Sequence, residues 1–570
     1  MVSVAKSERL LAYLSMEIAL ASDIPTYSGG LGVLAGDTLR SMADLEIPAV
    51  AVTLSYSTGY FYQLIDKDGH QNEREIWWEF SSEFEKEPVT IKVPLKGGNI
   101  RVGAWRYDVV GQTGHVVPVY LLDSDVEGNE PWQRQVTHVL YDATPFQRLV
   151  QEIILGMGGV ELLERLGYVN VRTYHVNEGH AALLAISLLD KFDGDLEEVR
   201  KRLVFTTHTP VEAGHDKYSR HDLQEALGRQ LPGEWLSLGG EGDFNLTLLA
   251  LNASRWANAV SQKHRDTASK MFPRHQLDAV TNGVHVPYWT CEPIANLFDR
   301  FLPGWRMKPS VLAKATDLDS EDLWRAHQKA KLALLDYEKS HSWVLLDKKL
   351  LTIGFARRVT HYKRPLLVFQ DLERLARICR KKVQLIFAGK AHPKDAEGKR
   401  AIKKLNDFSD YLWNSYRVRV AFLENYDVDL AKLMVSGVDL WLNNPIRYLE
   451  ASGTSGMKAA LNGVLNLSIL DGWWIEGHEF EPLAGWAVGP RPDDPDAEVV
   501  NWNREAGDIY EVLENEAIPI FFHNWQKWAD RMKHAIRLGA YFNTHRMVEE
   551  YAMRAWKLEK QPRWRFVEPD

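Results

Sequence analysis

The sequence predicts an α/β protein that consists of two doubly wound domains in tandem. Two observations predict this class. Short β-branched or apolar runs alternate with longer amphipathic runs in both halves of the chain, and such alternation implies right-handed βαβ units around parallel sheets. In addition, 570 residues exceed the roughly 250–300 residues beyond which a single hydrophobic core stops growing.

The second half shows the alternation more clearly. Predicted strands lie at 350–356, 383–389, 418–424, 438–444 and 464–470. Predicted helices lie between them at 364–380, 394–413 and 427–437, and a further helix opens near Gly456. Strands of this length separated by helical patterns are typical of parallel sheets.

The first half repeats the pattern. Its predicted strands are 10–16, 49–55, 115–122, 172–177, 202–208 and 278–283, with helices at 144–166 and 180–192. The segment 286–345 contains four prolines and is the predicted crossover between the domains. We therefore expect domains at 1–285 and 346–530, followed by C-terminal helices at 531–570 that can pack back on the first domain.

Composition excludes several classes of protein. Hydrophobic residues make up 45% and charged residues 25%, which is ordinary for a soluble globular protein. No run approaches 18 uncharged apolar residues, and Glu8 and Glu17 interrupt the apolar N-terminal stretch, so neither a membrane span nor a signal sequence is predicted. Cys291 and Cys379 have no CxxC spacing, which fits a reducing cytoplasm. The net charge of -9 is dispersed, so no nucleic-acid partner is expected.

In doubly wound sheets, ligands bind beyond the carboxyl ends of the strands. After the predicted strand 438–444, the small residues of 453–456 lead into a helix whose N-terminal N–H groups can hold a phosphate. Lys458 lies about one turn further on, where partial desolvation would favour a Schiff base with an aldehyde. A phosphate cradle and an amine on one element are what pyridoxal phosphate requires. The local pattern alone leaves open a glycine-rich helix cap with an ordinary lysine.

Two further loops can approach an anion. Arg358 and Lys363 follow the strand 350–356 closely enough to aim at one anion, although a basic surface loop is the alternative. Near the N-terminus, Gly29, Gly30 and Gly32 precede a helix and permit close backbone approach to a phosphate or a sugar. A dinucleotide fingerprint is disfavoured there because the glycine spacing is wrong and no suitable acidic residue follows the next strand.

Residues 450–462, EASGTSGMKAALN, resemble position by position the cofactor attachment segment of the glycogen and starch phosphorylases. The segment RRVTHYKRP from Arg357 is similar to the phosphate-binding loop of the same enzymes. The resemblance covers about 10–65, most of 170–290 and 348–480, and it is to the short, unregulated bacterial and archaeal α-glucan phosphorylases. It implies two Rossmann-like domains that face each other across a cleft, the GT-B type of glycosyltransferase fold.

The resemblance also implies roles for individual residues. Lys458 would form the Schiff base with pyridoxal 5'-phosphate, and the catalytic candidates are Lys458, Arg358, Lys363 and His208. Cofactor contacts would come from Lys458, Thr454, Ser455, Gly456, Arg357, Tyr426 and Gly30. Substrate contacts would come from Glu450, Ser452, Gly453, Asn282, Tyr362, His208, Gly29 and Gly30. No metal is predicted, because no HExxH or comparable ligand set is present. Asp427 replaces an arginine of the animal and plant enzymes, so charge compensation of the cofactor phosphate is left open.

The implied activity is retaining phosphorolysis of terminal α-1,4-glucosidic bonds. Inorganic phosphate would convert an α-1,4-glucan or maltooligosaccharide to α-glucose 1-phosphate, with the cofactor phosphate as proton relay. No carboxylate pair of the kind that glycosidases use stands out. Three alternatives stay open: a nucleotide-sugar glucan synthase of the same fold, a catalytically silent glucan-binding protein, and a phosphorylase of another α-glucoside. Whether the chain forms a homo-oligomer also stays open.

Overall fold

The computed structural model describes residues 4–141 and 144–559. The chain forms two compact units. Of the described residues, the first comprises those up to Phe61, those in Glu75–Thr281 and those from Thr544, and the second comprises Tyr62–Arg74 and Asn282–Asn543. Each unit contains a parallel sheet with helices, so the predicted α/β class is confirmed.

The strands are β1 (Leu11–Ser15), β2 (Ala49–Leu54), β3 (Tyr62–Ile65), β4 (Gln71–Arg74), β5 (Phe84–Lys86), β6 (Ile91–Leu95), β7 (Gly98–Val110), β8 (Val116–Asp123), β9 (Thr173–Asn177), β10 (Leu203–Thr206), β11 (Lys217–Tyr218), β12 (Phe244–Asn245), β13 (Trp256–Ala259), β14 (Asp278–Ala279), β15 (Leu351–Ala356), β16 (Val383–Ala388), β17 (Val420–Leu423), β18 (Leu440–Asn443), β19 (Leu465–Ile469) and β20 (Gly485–Val488).

The α-helices are α1 (Gly30–Asp44), α2 (Pro131–Arg134), α3 (Pro145–Ile153), α4 (Gly159–Arg165), α5 (Leu184–Lys191), α6 (Leu196–Arg200), α7 (Arg220–Leu227), α8 (Gly233–Ser237), α9 (Leu246–Ala253), α10 (Gln262–Met271), α11 (Val286–Trp289), α12 (Glu292–Phe301), α13 (Ser320–His341), α14 (Leu372–Cys379), α15 (Ala396–Tyr416), α16 (Val428–Gly437), α17 (Thr454–Leu461), α18 (Trp473–Phe480), α19 (Trp502–Val512), α20 (Ile518–His523), α21 (Trp525–Arg537) and α22 (Thr544–Glu550).

In the first unit, parallel strands are ordered β14-β13-β10-β9-β1-β2-β8, and antiparallel β7 and β5 extend the sheet beyond β8. From β1 the chain proceeds to β2 and β8 on one side and to β9 and β10 on the other. The direction of winding therefore reverses between β1 and β9, which is where doubly wound sheets bind ligands. The antiparallel edge was not predicted, because the long β7 has mixed burial and lacks the apolar run of the parallel strands.

Helices cover both faces of this sheet. Helix α3 continues through a π-helical turn, Ile154–Gly158, into α4, and this long helix packs with α5 in one apolar core. Helices α1 and α22 pack in a core on the opposite face, to which Leu39, Met42 and Val548 contribute. The hydroxyls of Ser41 and Thr544 lie 2.6 Å apart. The last described helix thus belongs to the first unit although it follows the second along the chain.

The main sheet of the second unit has six described strands, all parallel, in the order β17-β16-β15-β18-β19-β20. The winding reverses between β15 and β18. The helix predicted at 364–380 differs from the structure, since α14 begins only at Leu372. Arg364 has a positive φ of 49° and so cannot belong to the helix. The side chain of Asp371 accepts the backbone N–H of Arg374 at 2.9 Å and caps α14 at its observed start. Strand β20 was not predicted.

The hairpin β3-β4 joins the second unit although it lies within the predicted first domain. The side-chain amide of Gln63 donates to the carbonyl oxygen of Gly389 at 2.9 Å, and that of Gln71 donates to the carbonyl oxygen of Ala391 at 2.9 Å. The backbone N–H of Ala391 donates back to Gln71 Oε1 at 3.0 Å. These buried amide bonds fix the hairpin to the loop after β16. The segment 286–345, predicted as the crossover, likewise groups with the second unit.

Among the described residues, no helix combines the length and apolar character needed to cross a membrane.

Candidate active site

Helix α17 follows β18 at the reversal point of the second sheet. Gly453 precedes it with a positive φ of 86°, and no described side chain caps the helix. The N–H groups of the first turn, at Thr454, Ser455 and Gly456, therefore remain available to an anion. A Cβ atom at Gly456 would lie 2.5 Å from Asn466 Oδ1, so this turn packs too closely for any larger residue.

Lys458 lies in the same helix and is 7% exposed. Its Nζ atom lies 3.8 Å from the ring centroid of Trp289, which is itself buried at the end of α11. A cation over an indole face is stabilised by the negative face of the ring system. Sequence reasoning missed Trp289, because its 169-residue separation from Lys458 leaves no local signal.

Asn462 fixes this contact. Its Nδ2 group donates to the carbonyl oxygen of Trp289 at 2.9 Å, and its Oδ1 atom accepts the backbone N–H of Cys291 at 2.9 Å. Asn462 is fully buried directly after α17. The last residue of the attachment-like segment therefore holds the indole against the helix that carries Lys458.

Glu450 lies between two cations. Arg357 Nη2 donates to Glu450 Oε1 at 2.6 Å, and Lys363 Nζ donates to Glu450 Oε2 at 2.5 Å. Burial raises the pKa of Glu450, but the charges of Arg357 and Lys363 outweigh it and lower the pKa to about 2. Arg357 also donates to Asn443 Oδ1, which joins the carboxyl ends of β15 and β18.

Asp471 supports Glu450 from the end of β19. Its Oδ2 atom accepts the backbone N–H of Glu450 at 3.0 Å, and its Oδ1 atom accepts the backbone N–H of Gly472 at 2.8 Å. Burial and the nearby Glu450 charge raise the pKa of Asp471 to about 8. Sequence reasoning missed Asp471, although it follows β19 at the sheet edge where the candidate residues follow β15 and β18.

Ser452 and Gly453 line the approach to α17. The Oγ atom of Ser452 is buried and has no hydrogen-bond partner among the described residues. A buried hydroxyl without a partner lowers the stability of the folded protein. A ligand group that forms a hydrogen bond with it would remove this penalty. The backbone carbonyl of Ser452 accepts the N–H of Trp473 at 2.9 Å, which fixes the position of the loop.

The basic loop after β15 divides into buried and exposed cations. Lys363 is 8% exposed, whereas Arg358 projects into solvent. Arg364 is buried and donates to the carbonyl oxygens of Asn444 at 2.9 Å and Pro445 at 2.7 Å. Arg364 thus holds the loop after β18, and the four basic residues do not share one role in this structure.

Tyr362 and Tyr426 are half-buried. The ring of Tyr362 lies 4.3 Å from Lys363 Nζ, and its carbonyl oxygen accepts the N–H of Ile446 at 2.7 Å. Burial raises the pKa of Tyr426 above its ordinary value. Asp427 has a local role, because its Oδ1 atom accepts the backbone N–H of Leu430 at 2.9 Å and caps α16.

Asn282 is buried in the second unit, beside a segment anchored by the chain before α22. The N–H of Val284 donates to the carbonyl oxygen of Phe542 at 3.2 Å. A Cβ atom at Gly283 would lie 2.2 Å from the carbonyl carbon of Asn543, so this close approach requires glycine.

In the first unit, Glu17 shapes the glycine loop before α1. Its Oε2 atom accepts the N–H groups of Ser28 at 2.5 Å and Gly29 at 3.1 Å, and its Oε1 atom accepts the hydroxyl of Tyr141 at 2.8 Å. No described atom lies within 4 Å of the position that a Cβ would take at Gly29 or Gly30. The start of α1 therefore leaves room for a ligand to approach the backbone.

His208 follows β10 in the same unit. Its backbone N–H donates to Glu178 Oε2 at 2.7 Å, and its Nε2 atom lies 2.7 Å from Asn177 Oδ1. Glu178 has a positive φ of 71°, a conformation uncommon for a residue with a long side chain. Burial and the nearby His264, His175 and His180 lower the pKa of His208 to about 3.

Comparisons with known proteins agree on one family. A family model described as carbohydrate phosphorylase matches residues 18–150 and 239–480. The chain is 40% identical to a maltodextrin phosphorylase of Thermococcus litoralis, over 96% of this chain and 70% of the relative. It is 38% identical to a glycogen phosphorylase of Aquifex aeolicus, over 95% of this chain and 85% of the relative. It is 36% identical to a glycogen phosphorylase of Mycobacterium tuberculosis, over 95% of this chain and 70% of the relative.

Proposed function

Because the chain belongs to the carbohydrate phosphorylase family, we propose that it is an α-glucan phosphorylase that acts with retention of configuration. Inorganic phosphate would cleave the terminal α-1,4-glucosidic bond of a glucan or maltooligosaccharide and give α-glucose 1-phosphate. The observation that carries this proposal is the buried Lys458 one turn into the uncapped helix α17. An amine and a free set of N–H groups on one helix suit a cofactor with an aldehyde and a phosphate.

The residues present fit pyridoxal 5'-phosphate. Lys458 would hold the cofactor covalently, and the N–H groups of Thr454, Ser455 and Gly456 would bind its phosphate, with support from Arg357. In the first unit, Gly30 is proposed as a further contact of the cofactor. Tyr426 would lie beside it. When bound, the cofactor would supply a phosphate that relays a proton to inorganic phosphate. Trp289 already covers one side of the Lys458 amine at 3.8 Å, which supports an apolar wall for a planar ring.

Lys363 and Arg358 would bind the substrate phosphate. Lys363 supports this role because it is buried and its Nζ atom donates to Glu450 Oε2 at 2.5 Å. Two phosphates held close together repel each other, and fixed cations beside a helix N-terminus offset this repulsion. Arg358 is exposed, so we expect its guanidinium to turn inward only when phosphate is bound.

The glucosyl unit would be bound by hydrogen bonds. Ser452 offers a buried hydroxyl that has no described partner, and Glu450 offers oxygens already aligned by two cations. In the second unit, further sugar contacts are proposed for Gly453, Asn282 and Tyr362. In the first unit, sugar contacts are proposed for His208 and Gly29. Hydroxyl groups of a sugar both donate and accept, so this mixed set of charged and neutral partners suits a pyranose ring.

The stereochemistry of the product tests the proposal. Maltooligosaccharides and inorganic phosphate should give glucose 1-phosphate whose anomeric proton signal is that of the α-anomer. In reverse, glucose 1-phosphate and a short maltodextrin should give a ladder of longer chains and free phosphate. Formation of the β-anomer, or elongation that requires a sugar nucleotide, would contradict the proposal, and the second outcome would favour the synthase.

A further inference from the structure

A chain of hydrogen bonds in the first unit ends at the imidazole ring of His208. The Oγ atom of Ser15 lies 2.8 Å from the carbonyl oxygen of Glu17. Asn177 Nδ2 lies 3.0 Å from Ser15 Oγ, and Asn177 Oδ1 lies 2.7 Å from His208 Nε2. Ser15 and Asn177 are paired in register at the ends of β1 and β9, where the winding of the sheet reverses.

The backbone carbonyl of Glu17 determines which atom donates and which accepts in each of these hydrogen bonds. A carbonyl oxygen can only accept, so the single hydroxyl hydrogen of Ser15 is committed to it. Ser15 Oγ must then accept from its other neighbour, which requires the NH₂ group of Asn177 on that side. The opposite orientation of the amide would place Ser15 Oγ between two acceptors with one hydrogen to share, and a buried acceptor would stay unpaired.

The orientation of the Asn177 amide in turn decides the protonation of the imidazole. Because Oδ1 of Asn177 faces His208, the Nε2 atom must carry the hydrogen. In a neutral imidazole the other nitrogen, Nδ1, is then an acceptor. Burial and the neighbouring His264, His175 and His180 lower the pKa of His208 to about 3, which keeps the ring neutral. Among the described residues nothing forms a hydrogen bond with Nδ1, so this atom can accept one from a ligand.

The backbone around His208 is also held in place. Glu178 Oε2 accepts the N–H of His208 at 2.7 Å and the hydroxyl of Thr209 at 2.9 Å. Glu178 Oε1 accepts the N–H of Gly179 at 3.0 Å. Because the backbone and Nε2 are both fixed, rotation of the ring would break a buried hydrogen bond. The imidazole therefore keeps one orientation, and Nδ1 keeps its position.

We propose that Ser15 and Asn177 are positioning residues that hold His208 in its Nε2-protonated tautomer, so that Nδ1 accepts a hydrogen bond from one hydroxyl of the glucosyl unit. This inference rests on the proposed function for the identity of the sugar. It deepens that function because it assigns a direction to the contact: the sugar must donate. A site of this kind rejects a substituent that has an oxygen or fluorine but no hydrogen to give.

The tautomer can be measured without any assay of activity. We would label the full-length holoenzyme with ¹⁵N-histidine, record the ring nitrogen shifts, and assign His208 by the signals lost in His208→Gln. The expected result is a protonated Nε2 and an unprotonated Nδ1. In Ser15→Ala and Asn177→Ala the His208 signals should shift towards a mixture of tautomers, whereas Ser219→Ala, which removes a helix cap in the same unit, should leave them unchanged.

A protonated Nδ1 in the unsubstituted protein would overturn the proposal, as would a His208 tautomer that is unaffected by both relay substitutions. If Asn177→Ala does not fold, the tautomer of His208 in Ser15→Ala alone tests the proposal. Ser15→Ala is the milder change, because it removes a single oxygen atom. The measurement of the tautomer does not depend on phosphorolysis, so a negative result here is distinguishable from failure of the proposed function.

The second arm measures the direction of the sugar contact. Glucose 1-phosphates with a hydrogen or a fluorine in place of each hydroxyl in turn would be compared in chain elongation. At one position, both replacements should lower kcat/KM by about 10- to 100-fold, because each leaves Nδ1 without a donor. The two penalties should become small in Ser15→Ala. A fluorine analogue that reacts like the parent at every position would contradict the assignment of Nδ1 as an acceptor.

Discussion

The side-chain amide of Asn462 holds the carbonyl oxygen of Trp289 at 2.9 Å and the backbone N–H of Cys291 at 2.9 Å. Asn462→Ala removes both bonds from a fully buried side chain, so we expect a loss of about 2–4 kcal/mol in the free energy of unfolding. Urea denaturation measures this loss. Asn524→Ala, which removes only an exposed cap of α21, should cost about 1 kcal/mol; equal losses would contradict the role of Asn462.

We expect borohydride reduction to fix pyridoxal phosphate to Lys458. The buried amine lies one turn into the uncapped helix α17. Lys432, which contacts Tyr288 at 3.8 Å, has the same position in α16, but the side chain of Asp427 caps the start of that helix. Peptide mapping after reduction identifies the labelled lysine. A label on Lys432, or a fully active protein free of cofactor, would contradict the assignment.

Replacement of Lys363 should impair the use of phosphate more than the binding of glucan. Lys363→Ala removes a preorganised charge and should lower kcat/KM for phosphate by about 10²–10³-fold, or roughly 3–4 kcal/mol of transition-state stabilisation. Lys403→Ala removes a partly exposed lysine that pairs with Asp407 and serves as the control. Unchanged activity of Lys363→Ala at limiting phosphate would refute the role of Lys363.

Glu450 should make the protein sensitive to acid. Its pKa is lowered from 4.5 to about 2 in the folded state, so its contribution to stability is present above pH 4.5 and is lost as the pH falls towards 2. The contribution is about 3 kcal/mol, since one pKa unit corresponds to about 1.4 kcal/mol. Denaturation midpoints at pH 3 and pH 6 should differ less in Glu450→Gln than in the unsubstituted protein. An identical pH dependence of the two proteins would show that the ion pairs with Arg357 and Lys363 do not hold in solution.

Asp427 should act through the cap of α16. Asp427→Ala should lower the free energy of unfolding by about 1 kcal/mol, because the N–H of Leu430 loses its partner. Asp427→Asn keeps a capping oxygen and should cost little, and thermal unfolding of the two variants measures the difference. Equal stability of both variants would contradict a role of Asp427 through the cap.

The α/β class and the family were predictable from the sequence alone, since both rest on local patterns. Alternating apolar and amphipathic runs indicate parallel sheets, and the segment from Glu450 to Asn462 is long enough to identify a family that the comparisons confirm. Strands β15 to β19 lie where the periodicity predicted them. The roles of individual site residues stay predictions.

Other features depended on contacts between residues far apart in the chain. The hairpin β3-β4 joins the second unit because buried glutamine amides bind the loop after β16. No local pattern distinguishes the buried Lys363 from the exposed Arg358, since burial depends on the carboxylate that Glu450 supplies 87 residues later.

Sequence therefore determined which residue types lie at the strand ends, because local periodicity and motif spacing are properties of neighbouring residues. Only the tertiary structure decided which distant residues meet: Trp289 with Lys458, Asp471 with Glu450, and Asn177 with His208. The physical reason is the parallel sheet. Its hydrogen bonds bring together the carboxyl ends of strands that at least one crossover helix separates along the chain. The order of the strands is fixed only when the whole sheet has formed.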